Sequence, residues 1–164
     1  MNNSEVQDAL KRSVQTEKNA MNFYQIAASH MTDEAAIKTF ELLAREEREH
    51  AKHFFDNYAG DDMPSFEDFI DAPPENESEW LSDLDKALLA DFSERKAMEL
   101  AMEKEKNLEK SLREMAAKIE DADVQAIFEE NAKSTHNHYV LIESEYARIM
   151  GMPHETDIDT FVRE

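Results

Sequence analysis

The chain has no cysteine. That excludes disulfides, thiolate catalysis, zinc ribbons and cysteine-held iron–sulfur clusters together, so any bound metal must rest on carboxylate or imidazole. Glycine and proline are nearly as scarce, at two and four in 164 residues. So little punctuation favours long, uninterrupted helices. No run approaches the roughly 18 apolar residues of a membrane span. The N-terminus, Met1-Asn2-Asn3-Ser4-Glu5, lacks the basic and apolar blocks of a secretory leader. A cytoplasmic protein with no membrane partner is the expectation. Positive charge is in deficit, with 18 Lys and Arg against 38 Asp and Glu and a net charge of −20. That balance argues against nucleic acid, whose phosphates need a basic surface, and favours the accumulation of cations.

What is present is helical periodicity. A chain of this length suits one compact domain with a real core. Four stripes of buried-type residues recur at steps of three and four. The first runs Val6, Leu10, Val14, Glu17, Met21, Tyr24 and Ala28; the second Ile37, Phe40, Ala44, Glu47, His50, Phe54 and Tyr58. The third runs Met98, Met102, Glu105, Leu108, Leu112, Met115 and Ile119; the fourth Val124, Phe128, Asn131, Thr135, His138, Ile142, Tyr146 and Ile149. Thr32-Asp33 and Asp121–Asp123 supply oxygen acceptors for the starts of the second and fourth helices, and Asp91 or Ser93 starts the third. Gly60 with Pro64, and Gly151 with Pro153, are expected to close the second and fourth. Between the pairs, Trp80, Leu81, Leu84, Leu88 and Leu89 suggest a short extra helix. The expected fold is all-α: a four-helix bundle over residues 1–151, built from two helix pairs with one long crossover at about 60–92. Residues 152–164 read as a C-terminal tail.

Residues 17–59 recur without a gap 88 positions later, as Glu17-Lys18-Asn19 and Glu105-Lys106-Asn107, Phe40-Glu41 and Phe128-Glu129, His50 and His138, and Tyr58-Ala59 and Tyr146-Ala147. The repeat places polar residues on apolar stripes. Glu17, Glu47, His50, Glu105 and His138 each have apolar neighbours one turn away on either side. An unpaired buried carboxylate costs several kcal/mol or is driven to its neutral form. Three of them in one bundle repel one another, and a divalent cation is the simplest compensation. Glu47 and His50, at i and i+3, reach the same point. Mixed oxygen and imidazole ligation suits iron or manganese and does not exclude zinc.

With these residues the chain resembles the rubrerythrin-like branch of the ferritin-like diiron-carboxylate proteins, from about residue 4 to residue 150. In that family one helix of each pair gives a Glu and the other gives Glu-x-x-His. The resemblance implies Glu17 and His50 as terminal ligands, Glu47 as a bridging ligand, and Glu105 and His138 as the other terminal pair. It implies Tyr24 as the tyrosine that hydrogen-bonds near the metals. It also implies one or two iron ions, a homodimer, and an external electron donor such as a rubredoxin-like protein, since these residues offer no cysteines for a rubredoxin-like centre. Phe66, Phe69 and Trp80 are the expected aromatic surface for a dimer.

Two positions depart from the family. Thr135 stands where the second bridging carboxylate belongs, and Met102 where rubrerythrins carry an extra Glu. Two metals bridged by Glu47 and solvent, one firmly held metal beside a weak second position, and compensation by Glu109 all remain open. His53 is a candidate for the site mouth, while His136, His30 and His154 are assigned no role. Arg45-Glu46 and Glu103-Lys104 read as solvated charge. The functional expectation is a non-haem iron oxidoreductase acting on peroxide or dioxygen. The alternative is a metal-binding, iron-handling or stress-related bundle with little turnover.

Overall fold

The computed structural model describes residues 1–151, and the expected tail with His154 lies outside them. Six helices follow one another: α1 (Asn3–His30), α2 (Glu34–Asn57), α3 (Phe66–Asp71), α4 (Glu79–Ala90), α5 (Glu94–Lys118) and α6 (Ala122–Met150). The four long ones form the expected all-α, ferritin-like bundle. α1 packs along α2 and α5 along α6, α2 meets α6, and α4 lies against both α1 and α5. Among the described residues, no helix is long and apolar enough to cross a membrane.

Each long helix starts where an acceptor meets its orphan amides. Asn2 and Glu5 form a reciprocal capping box on α1. Asp33 accepts from the Ala36 amide, Ser93 from Lys96, and Asp121 from Asp123 and Val124. Gly151 closes α6 at φ 67°, a left-handed conformation that glycine adopts without Cβ strain.

The end of α2 departs from expectation. The helix stops at Asn57, with Tyr58 extended, and Gly60 has no positive φ. The chain leaves because Gln7 of α1 accepts the Ala59 amide and Tyr58 donates to Asp62. Gly60 serves a close approach instead: a Cβ there would run into the Tyr58 ring.

The crossover is more ordered than a loop. Ser65 and Ser78 cap α3 and α4, and α4 buries Trp80, Leu81 and Leu84 against the bundle. Each such side chain contributes about 1.5–3 kcal/mol of burial. Leu89 was expected on this face but is 89% exposed, because the packed stripe ends at Ala87 and Leu88. Phe66 and Trp80, expected to form a surface, are buried. Phe66 lies under Phe55, Arg48 and Lys52, and Trp80 packs edge-on to Phe23. These two rings are spent inside the molecule.

Candidate metal centre

The five polar residues on the apolar stripes converge at the middle of the bundle. Glu17 of α1, Glu47 and His50 of α2, Glu105 of α5 and His138 of α6 form two overlapping triads. Glu17, Glu47 and His50 offer ligand atoms all within 4.8 Å of one another, and so do Glu47, Glu105 and His138. Glu47 belongs to both. All three carboxylates are fully buried, His138 is buried, and the His50 side chain is 11% exposed.

The ring orientations are set from outside. His138 Nε2 lies 2.9 Å from Glu46 Oε1, which can only accept, so Nε2 carries the hydrogen and Nδ1 faces inward. His50 Nε2 is 2.8 Å from Ser134 Oγ, which turns its Nδ1 inward too. The two rings stack at 5.2 Å with planes 12° apart. His50 Nδ1 is 3.6 Å from Glu17 and 3.8 Å from Glu47. His138 Nδ1 is 2.7 Å from Glu47 and 3.6 Å from Glu105. Tyr24 donates its hydroxyl to Glu105 Oε1 at 2.6 Å.

These atoms test whether a metal fits. Both oxygens of Glu17 and of Glu47, Oε2 of Glu105 and Nδ1 of both histidines are buried without a partner in hydrogen-bond geometry, the short His138–Glu47 approach included. Buried polar atoms are rarely left so. A cluster of carboxylate oxygens and imidazole nitrogens facing one point has the chemistry of a divalent-cation site once the imidazoles give up their protons, and the residues fit the metal this donor set implies.

Electrostatics show the cost of the site without one. Burial, then the neighbouring Glu47 charge, push Glu17 well above the ordinary carboxylate range. The same two causes push Glu105 up to about 7. Burial opposes ionisation of Glu47 as well, but Glu17 and the two histidines outweigh it and hold its pKa below the ordinary range. Burial also works against charging the histidines. The carboxylates beside them win, raising His50 to about 10 and His138 to about 11. Burial, then the Glu105 charge, raise Tyr24 well above its ordinary value, so it stays a phenol.

The remaining candidates fall outside the two triads. The Thr135 hydroxyl is buried but donates to Asn131 O of its own helix at 2.7 Å. Asn131 likewise donates to Ile127 O and leaves its Oδ1 unpartnered. Glu109 does not compensate: Arg113 and His136 hold its carboxylate at 2.8 and 3.0 Å. His53 is half-buried, 3.4 Å from Asn131 and in neither triad. His30 is exposed beside Phe92. Met102 is half-buried.

Sequence reasoning missed two neighbours of the site. Glu46, read as solvated, orients His138. Lys104, also read as solvated, is buried and paired with Asp83 of α4. Lys18 of α1 is buried too and donates to Asn22 Oδ1 and Pro73 O. Each lysine adjoins a carboxylate of the triads in sequence, off the apolar stripe. The crossover that covers them could not be read from the periodicity of their own helices.

Fold and site together define a ferritin-like helical bundle with a candidate carboxylate–histidine metal centre. A family model described as Rubrerythrin matches residues 8–146, and the chain belongs to the rubrerythrin family, one of non-haem iron proteins. The match spans all five converging residues. No curated protein and no solved structure matches the chain.

Proposed function

We propose that this chain is a rubrerythrin-type iron protein whose carboxylate–histidine centre reacts with peroxide or dioxygen, using electrons from a separate rubredoxin-like donor. The observation that supports it most is the convergence of unpartnered ligand atoms in two triads sharing Glu47. Iron, when bound, supplies the one-electron redox change and Lewis acidity. The chain does the rest. Glu17, Glu47 and His50 form one holding set, and Glu47, Glu105 and His138 the other. Tyr24 fixes Glu105 by its hydroxyl, Glu46 and Ser134 aim the imidazoles, and the packed apolar stripes keep bulk water from the carboxylates. Anaerobic titration with ferrous iron, followed by peroxide under an external reductant, tests this reading. Stoichiometric uptake and catalytic peroxide loss are expected; no iron uptake overturns it.

Thr135 and Met102 favour a second reading, in which the bundle binds metal with little turnover. Thr135 presents no carboxylate, and its hydroxyl is committed to its own helix. Iron uptake with chelator-sensitive thermal stability, but no peroxide loss under ample reductant, would select it.

A further inference from the structure

Electrons must reach a centre whose three carboxylates have no solvent contact. Two oxidisable side chains connect the Glu105 side of that centre to a cleft that Glu17 lines on the other side. Tyr24, fully buried, donates its hydroxyl to Glu105 Oε1 at 2.6 Å. Its ring centroid lies 6.1 Å from that of Trp80, the one tryptophan of the chain, with planes 60° apart. Trp80 is 6% exposed and forms part of the wall of a cleft of about 280 Å³ between α1 and α5, beside Arg12 and Lys104. Phe23 and Phe40 pack edge-on around the pair, Phe23 5.4 Å from Trp80 and Phe40 5.0 Å from Tyr24. Such packing fixes the ring positions. Phenylalanine resists the one-electron oxidation that phenol and indole undergo, so Tyr24 and Trp80 are the oxidisable members of this aromatic cluster.

We propose that Tyr24 and Trp80 form an electron relay between the Glu105 side of the metal centre and the α1–α5 cleft. Tyr24 loses an electron to a one-electron oxidant, peroxide-derived in the function proposed above, and its phenolic proton passes along the hydrogen bond to Glu105 Oε1. Trp80 gives an electron to the neutral Tyr24 radical, and the proton returns from Glu105 to Tyr24 Oη. The Trp80 radical cation then takes an electron from a one-electron donor in the cleft. One electron has moved inward, and no proton is gained or lost. Only the biological oxidant rests on the function proposed above; the relay depends on the two rings and Glu105.

The test uses the full chain with Tyr58, Tyr139 and Tyr146 changed to Phe, so that Tyr24 is the remaining tyrosine. A photoexcited ruthenium polypyridyl complex, oxidatively quenched in solution, removes an electron from the cleft side. Electron paramagnetic resonance of frozen samples, with ring-deuterated tyrosine or tryptophan, identifies the radical. The relay predicts a tyrosyl radical on Tyr24. Trp80→Phe should lose that radical, and Tyr24→Phe should leave a longer-lived tryptophan radical. Unchanged helical circular dichroism and unchanged cooperativity of urea unfolding show that the variants are folded. An undiminished tyrosyl yield in Trp80→Phe, or an unchanged tryptophan radical lifetime in Tyr24→Phe, overturns the relay. A parallel arm adds peroxide to ferrous-loaded protein. Photochemical transfer without iron oxidation there would sink the redox function and support the relay, whereas iron oxidation without photochemical transfer would sink the relay alone.

Discussion

Glu47 carries more of the site than any other residue, because both triads contain it and the matching position in the second half is Thr135. A threonine whose hydroxyl back-bonds to its own helix adds neither charge nor a free lone pair toward a cation. Three carboxylates therefore serve where the family pattern uses four. Thr135→Glu should raise iron stoichiometry from about one to about two per chain, measured by metal analysis of protein purified without chelators. Two irons already bound by the unaltered protein would refute that account of the asymmetry. Protonation gives a second test at this scale. Carboxylates beside the histidines raise them to about 10 and 11, so both carry protons at neutral pH in the metal-free chain. Because these folded-state values exceed the ordinary one, the stabilisation is fully present below the ordinary histidine pKa and is lost as pH climbs through 10 and 11. Coordination needs neutral imidazole and ionised carboxylate, so metal binding must displace protons. Affinity for redox-inert zinc should tighten between about pH 6 and 8, with protons released in calorimetry across buffers of different ionisation enthalpy. A flat profile would show that the ligands are already deprotonated.

Among the elements, α4 shows where the sequence was legible and where it was not. Trp80, Leu81 and Leu84 announced a helix by their spacing, and the structure buries all three. The four long helices and the central place of the five polar residues were legible for the same reason: long amphipathic stripes record which face is buried. What the stripes cannot record is a contact made by a different element. Lys104 lies off the stripe of α5, yet α4 covers it and supplies Asp83. The six residues of α3 are too few for a period to show. The end of α2 depends on Gln7, far away in sequence. The Lys104–Asp83 pair makes the role of α4 measurable. Asp83→Ala leaves a buried ammonium without its partner and should cost about 2 kcal/mol, less than a fully buried pair because Asp83 is partly exposed. Lys104→Met removes the need for the partner and should be nearly neutral. Urea unfolding of both variants separates the cases; equal losses would mean that the charge contributes no more than the aliphatic stem.

At the scale of the whole molecule, the 88-residue repeat appears as two helix pairs meeting around a shared site, with an excess of negative charge spread over them. The surface holds compensating pairs, among them Arg48–Glu67, Lys52–Asp56 and Arg148–Asp33. Exposed pairs contribute about 0–1 kcal/mol each and weaken with salt. A net charge of −20 acts the other way, since folding brings like charges closer together. Salt shortens the reach of both effects, to about 10 Å at 0.1 M. Close pairs lie inside that distance, whereas most of the general repulsion acts beyond it, so screening relieves more than it removes. The melting temperature of the metal-free protein should therefore rise as sodium chloride increases from low to moderate concentration. The buried carboxylates respond to a different agent, because mobile ions do not reach them and a ligated cation does. Zinc should raise the melting temperature further at stoichiometric concentration, saturating where chloride produces only a graded rise, and chelator should reverse it. A melting temperature that falls with sodium chloride would mean that local pairs outweigh the net charge. A zinc effect that merely tracks ionic strength would remove the case for a specific cation site at the shared Glu47.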